Sequence, residues 1–324
     1  MGLARQTAER FLREAKIEGR MVEGAVASRI LGLTCFWQAD FTAAKANLEE
    51  ALRLCDAQQH PEVDASFGQD TIAGARSFLA QTTWALGEVT RARVLIEEAI
   101  VRAVKTAHAP TLANTNFYKA LFEALRGDAH GALRIATKLI ELSREYGLEE
   151  YLAFGMVYFS WARARLGDRE SVELRESISA FMARGNKYWV PFFQGLLAEI
   201  EAERRDLEQA LTRIDEALGL AQQTGERWTD SFLQRIRGEI LLKRDATNTA
   251  PAEEAFLSAI AVAQQQKARS FELRAAMSMA RLWRDQSKRD EARELLAPVY
   301  GWFTEGFDTR DLKEAKALLD ELAS

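Results

Sequence analysis

Seven times along the chain, alanine or valine occupies the same slot of a helical pattern. The slots are Ala44, Ala92, Ala132, Val172, Ala210, Ala255 and Ala292, spaced by 48, 40, 40, 38, 45 and 37 residues. Three of them lead into near-copies of one sequence: Leu48-Glu49-Glu50-Ala51-Leu52, Ile96-Glu97-Glu98-Ala99-Ile100 and Ile214-Asp215-Glu216-Ala217-Leu218. A fixed period of this kind constrains the fold more than composition does. One hairpin of helices cannot bury its own apolar faces, whereas stacked hairpins bury a continuous core between neighbours.

Turn signals precede the slots at Ala39-Asp40, Gly87-Glu88, Gly127-Asp128, Gly167-Asp168 and Arg205-Asp206. Each unit therefore reads as helix A, a tight turn, helix B and a longer connection. The small slot lets helix A approach closely, and the long apolar residue four positions on packs along the same face. Leu31-Gly32 fits part of the tetratricopeptide pattern, with Cys35 in place of the expected aromatic. Ala92-x3-Ile96 and Ala292-x3-Leu296 fit its second half, while Val172-x3-Glu176 fits poorly. The units exceed the usual length of roughly 34 residues.

The reading is an all-α, right-handed superhelical solenoid of tetratricopeptide-like hairpins, as a single repeat domain over 1–324. Its seven hairpins cover about 21–57, 70–107, 110–146, 148–184, 189–224, 228–267 and 270–303. Residues 3–18 read as a helix B without its helix A. Residues 309–322 read as a capping helix with Leu312, Ala315, Leu318, Leu319 and Leu322 on one face. Breakers fall at His60-Pro61, Ala109-Pro110, Val190-Pro191 and Ala250-Pro251, and Pro298 is expected to kink or end the last helix B.

Composition agrees with helix. Five prolines stand among 324 residues, and 48% of the residues are hydrophobic. The formal charge is −5 with acids and bases interspersed, so the clustered cationic footprint of nucleic-acid binding is missing. Cys35 and Cys55 read as small core residues, too few for a disulfide framework or a four-cysteine metal site. The charged first twenty residues lack the apolar run of a signal peptide, and Tyr151 to Ala162 is too short to span a bilayer. These features place the chain in the cytoplasm, with no membrane, metal or cofactor expected.

The C-terminal run Phe271-Glu272-Leu273-Arg274-Ala275-Ala276, then Ala280-Arg281-Leu282-Trp283-Arg284 and Glu291-Ala292-Arg293-Glu294-Leu295-Leu296-Ala297-Pro298-Val299-Tyr300, is distinctive. So is Trp302-Phe303-Thr304-Glu305-Gly306-Phe307-Asp308-Thr309 before Asp311-Leu312-Lys313-Glu314-Ala315. It resembles the C-terminal tetratricopeptide array of large bacterial proteins that carry a class III adenylate/guanylate cyclase domain and a predicted ATPase of the AAA/STAND type. Phe67-Gly68-Gln69-Asp70 and Arg235-Ile236-Arg237-Gly238-Glu239-Ile240-Leu241-Leu242 are similar to that array too. The resemblance implies a sensory arm that starts inside the array, with its catalytic modules elsewhere and a cyclase/ATPase signalling module as partner.

Catalytic motifs are missing from the sequence. Gly185-Asn186-Lys187 lacks the first glycine and the hydroxyl residue of a phosphate loop. His60, His108 and His130 are far apart and read as turn or surface residues. The acid pairs Glu49-Glu50, Glu97-Glu98 and Glu253-Glu254 read as a solvated helix B face, since adjacent helical residues point about 100° apart.

Function therefore rests on binding. Helix A is expected to line a concave groove, and projecting the register gives Arg29, Phe36, Trp37, Ser77, Gln81, Trp84, Asn114, Phe117, Phe154, Trp161 and Arg165 as partner-binding candidates. Glu199, Glu203, Arg281 and Arg284 extend the row. A peptide or protein segment is the expected occupant, for which rigid aromatics and arginine are suitable anchors. Two alternatives are an inducer-like metabolite in the groove and, against the acidic balance, RNA.

Overall fold

The structure is a computed structural model that describes residues 2–56, 68–167 and 172–324. His60-Pro61, Phe67 and Asp168 lie outside the described residues. Among those described there are sixteen helices and no strand. After α1 (Gly2–Ile17) come α2 (Met21–Trp37) and α3 (Phe41–Asp56), α4 (Thr71–Ala85) and α5 (Val89–Thr106), α6 (Ala109–Arg126) and α7 (Ala129–Tyr146), then α8 (Glu149–Arg165) and α9 (Val172–Ala183). There follow α10 (Val190–Glu203) and α11 (Leu207–Thr224), α12 (Asp230–Arg244) and α13 (Ala250–Gln265), α14 (Arg269–Asp285) and α15 (Arg289–Gly301), and last α16 (Arg310–Ala323). The chain forms two compact units, Met1–Thr83 with Arg91–Asn186, and Trp84–Thr90 with Lys187–Ser324.

The two helix types of a hairpin are buried differently. In α11 the buried residues are Ala210, Leu211, Ile214, Ala217 and Ala221, one stripe at helical spacing. In α10 every residue except Glu199 and Glu203 is buried, packed between α11 of its own hairpin and α12 of the next. An apolar surface all round is what such a sandwiched helix requires. The second unit ends in one continuous core, where Leu273, Met277 and Ala280 of α14 meet Leu296 and Val299 of α15 and Leu312, Leu318 and Leu322 of α16. Pro298 sits inside α15, which stops three residues later at Gly301.

Six of the seven A-to-B turns share one backbone device, the α12–α13 turn being built differently with an extended Asp245. A residue with positive φ stands at Ala39, Gly87, Gly127, Gly167, Arg205 and Ser287. In four hairpins the next N–H reaches back five residues, from Asp40 to the Cys35 carbonyl, Asp128 to Glu123, Asp206 to Glu201 and Lys288 to Trp283, at 2.8–3.0 Å. This bond satisfies a carbonyl that the helix end leaves over. The acid after the turn then opens helix B: Asp40 accepts from the Ala43 N–H at 3.2 Å and Asp128 from the Gly131 N–H at 2.8 Å.

Close approach inside a hairpin depends on glycine. A Cβ on Gly32 would lie 2.6 Å from Leu48 Cγ and 3.2 Å from the Ala44 carbonyl. At Gly238 it would meet the Phe256 ring at 2.5 Å and the Ala252 carbonyl at 3.1 Å. The Gly238→Ala variant is expected to lose about 1–3 kcal/mol through overpacking, even though alanine is the better helix former by about 1 kcal/mol. Urea denaturation checks this. A rise in the midpoint would mean that the fully buried Phe256 can move aside.

Most of the paired acids of helix B are tied to neighbouring hairpins. Glu49 meets Arg91 at 2.7 Å and Glu97 meets Lys119 at 2.5 Å, while Glu98 meets Arg76 of its own hairpin at 3.4 Å. Glu253 accepts the Trp283 indole N–H at 3.0 Å. These are exposed or half-exposed links that hold register more than they add stability.

Candidate functional site

In the first unit the helix A positions of α2, α4, α6 and α8 come together as a mixed aromatic and polar row. Phe36 stacks edge-on with Phe78 at 5.9 Å, Phe78 lies 4.4 Å from Tyr118, and Phe117 lies 4.1 Å from Phe154. Phe154 also contacts Phe181 at 4.8 Å. Phe36, Trp37, Phe117, Phe154 and Trp161 are all buried. They pack between helices, which fixes the spacing of the polar groups among them.

Those polar groups are unevenly satisfied. Ser77 donates to the Ala73 carbonyl at 2.8 Å, and Gln81 donates to the Tyr118 carbonyl at 3.0 Å. The half-buried Asn114 accepts from the Tyr151 hydroxyl at 3.4 Å. Yet Gln81 Oε1, Trp161 Nε1 and Arg29 Nε are buried with no hydrogen-bond partner among the described residues. Arg29 is 6% exposed, and its Cδ and Nη1 lie against Gly74. Burial pushes its guanidinium below the ordinary value, opposed by Tyr118, Cys55, Tyr151 and Asp70. Asp70 is already held by Arg102 at 2.7 Å. Burial also raises Tyr118 well above the usual phenol value and pushes Tyr151 up to about 12, so both hydroxyls stay neutral. Arg165 is half-buried at the end of α8.

Trp84 stands apart from this row. It belongs to the second unit, 5.2 Å from Phe271 with Arg274 over its ring at 5.1 Å, and its carbonyl accepts from Ser270 at 2.5 Å. There the charged helix A residues find carboxylates on neighbouring elements. Arg235 meets Glu199 of α10 at 2.7 Å and also Glu239 of its own helix at 3.0 Å, Arg274 meets Asp311 at 2.7 Å, and Arg281 meets Glu314 at 3.2 Å. Arg284 meets Glu321 at 3.0 Å.

The second unit also holds an acid that the sequence does not announce. Glu226 is 0% exposed, and its carboxylate accepts the Trp189 backbone N–H at 3.1 Å and the Trp228 indole N–H at 2.8 Å. Burial pushes its carboxyl up to about 8, against these two N–H groups. Nearby Asp230 is pushed up to about 6 by burial, against Arg227 at 2.7 Å. Displaced carboxyl values often mark catalytic acids. Here both oxygens of Glu226 face indole and backbone N–H groups inside the core, so no substrate atom reaches them. The repeated tryptophan ahead of α10 and α12, at Trp189 and Trp228, is the one sequence signal that points to this knot.

No family model matches the chain. An uncharacterized protein of Rhizobium meliloti (strain 1021) is 21% identical over 256 residues, which cover 76% of this chain. The chain spans about a quarter of the length of that curated relative, 25% of it. A Rap protein solved in complex with Competence and Sporulation Factor is similar in structure, with 12% identity, a TM-score of 0.54, and coverage of 93% of this chain and 78% of that one. The apo form of RapI is similar at 12% identity and a TM-score of 0.53, covering 92% of this chain and 99% of its own. The chain thus has the all-α fold of tetratricopeptide-like helical-repeat proteins.

Proposed function

We propose that this chain is a non-catalytic recognition array whose first-unit helix A face takes up a peptide or protein segment. We further propose that it serves as the sensory arm of a bacterial cyclase/ATPase signalling system. One observation carries the binding reading. Among the described residues Arg29, Gln81 and Trp161 keep polar atoms unmatched on a row where buried groups are normally paired, while Arg235, Arg274 and Arg281 of the second unit have carboxylate partners. The likeness to a Rap protein seen with a bound factor supports a binding role for such a fold. The signalling context rests on the resemblance of the C-terminal run and on the relative's much greater length.

The partner-facing side chains in this reading are Arg29, Gln81, Asn114 and Arg165, with Ser77 and the aromatic residues setting the spacing between them. A Gln81→Leu/Asn114→Leu variant that keeps the wild-type circular dichroism is expected to bind its partner roughly tenfold or more weakly, about 1 kcal/mol or more for each lost hydrogen bond. Capture from native lysate followed by titration with the captured protein measures this. Equal affinity would move the site off this face, and robust ATP hydrolysis or cyclic nucleotide formation by the purified chain would sink the non-catalytic reading. A second reading, a small inducer-like ligand, is favoured by the ring stacks on the same row as the unmatched polar atoms.

A further inference from the structure

The fourth hairpin breaks the helix B register. Its repeat slot, Val172, is 43% exposed, and Leu174, Ile178 and Phe181 are the buried residues of α9. Small residues, Ser177 and Ala180, then stand beside α8, and a cavity of about 470 Å³ opens there against Leu152, Met156 and Phe159. Its size lies within the roughly 300–1,000 Å³ of ligand cavities. It is not the helix A row described above. Leu152, Met156 and Phe159 each stand two residues before Phe154, Tyr158 and Trp161, and two residues turn a helix through about 200°.

The polar groups left open in this cavity are acceptors. Its two guanidinium groups are engaged, Arg163 with Glu173 at 3.5 Å and with the Phe159 ring at 5.6 Å, and Arg184 with Glu149 at 3.0 Å. Ser177 spends its hydroxyl hydrogen on the Glu173 carbonyl at 2.8 Å, so Ser160, 3.1 Å away, is the donor between the two serines. Each hydroxyl keeps a lone pair and neither keeps a hydrogen. Glu176 adds a second carboxylate one turn from Glu173, with no ion pair among the described residues.

We infer that this cavity binds a small organic amine, its ammonium held by Glu176 and the serine oxygens and its apolar body lying against Leu152, Met156 and Phe159. An ammonium brings three donors and no acceptor, the complement of this lining. A carboxylate or phosphate would meet two carboxylates with both arginines already spent. A short molecule fits better than a through-running chain, because an ion pair bridges α8 and α9 at each end of the groove. The site is separate from the helix A row, so each can stand if the other falls.

Isothermal titration calorimetry of the full chain, at neutral pH and constant ionic strength, tests this with three probes of one shape: tryptamine, the neutral tryptophol and the anionic indole-3-propionate. Tryptamine is expected to saturate one site. Tryptophol should bind roughly tenfold more weakly, through loss of a charge-assisted hydrogen bond, and indole-3-propionate should not saturate. Glu176→Gln is expected to weaken tryptamine roughly fivefold or more, on the same ground. Ala180→Trp, which fills the cavity from an exposed position, should abolish binding, whereas Glu141→Gln on the exposed side of α7 should leave it unchanged. Glu176 is exposed, so its variant carries the test even where Ala180→Trp loses the wild-type circular dichroism. Tryptophol or the carboxylate binding as tightly as tryptamine would overturn the inference. So would unchanged affinity in Glu176→Gln or in a folded Ala180→Trp, or no saturation by tryptamine at all.

Discussion

Replacing Trp228 by alanine is expected to cost about 3–5 kcal/mol and to broaden or split the urea unfolding transition. Trp228 is 1% exposed, packs against Phe192 at 5.1 Å and Trp189 at 5.6 Å, and gives its indole N–H to Glu226. Removing it opens a cavity the size of an indole among rings that cannot collapse into it. It also strips one donor from a carboxylate that water does not reach, at about 1–3 kcal/mol more. The position matters as much as the size. Glu226 joins Trp189, at the start of one hairpin, to Trp228, at the start of the next. In a stacked array the interface between neighbours supplies much of the cooperativity. Equilibrium unfolding followed by circular dichroism and tryptophan fluorescence together measures both effects. Coincident, sharp transitions at the wild-type midpoint would show that this knot does not couple the hairpins.

The same carboxyl makes stability depend on pH in an unusual direction. A Glu with a folded value of about 8 and an ordinary unfolded value near 4.5 binds its proton more tightly in the folded chain. Its contribution is full below about pH 4.5 and is lost as pH rises through about 8. The loss is on the order of a few kcal/mol at about 1.4 kcal/mol per unit. Asp230, raised to about 6, adds a loss of the same sign in the lower part of that window. The carboxyls held below their ordinary value, Glu239 and Glu314 among them, act at more acid pH and in the opposite sense. The urea midpoint of the wild type is therefore expected to fall between pH 6 and pH 8. Glu226→Gln, which cannot ionise, should be nearly flat over that range while starting lower, since an amide NH2 cannot accept from one of the two N–H groups. Parallel curves for the two proteins would mean that Glu226 stays ionised in the core.

The repeat reveals the hairpins because a stacked helix pair needs a small residue at a fixed place, and Gly32 against Ala44 is that place in the first hairpin. The helix A register likewise brings Arg29, Gln81, Asn114 and Phe117 onto one row. What the register cannot give is depth. A helix A residue at the right angle faces the neighbouring helix A as well as any ligand, and only the packed structure shows that Phe36, Phe117 and Phe154 are consumed by that packing. Trp84 carries the same pattern and ends against Phe271, a residue far along the chain. Glu226 follows a helix-ending Gly225 and reads as a solvated loop acid. Instead it is buried, held by the backbone N–H of Trp189, 37 positions earlier, and the indole of Trp228.

The six left-handed turn residues have a consequence for descent. Alanine, arginine and serine hold the same backbone corner as three glycines, and the reach-back bond that locks the corner runs between main-chain atoms. A hairpin can therefore lose its turn letters one by one, at about a kilocalorie per mole each, while the path of the chain stays put. Kinship among such arrays fades from their letters long before it fades from their coordinates, and each copy drifts on its own clock.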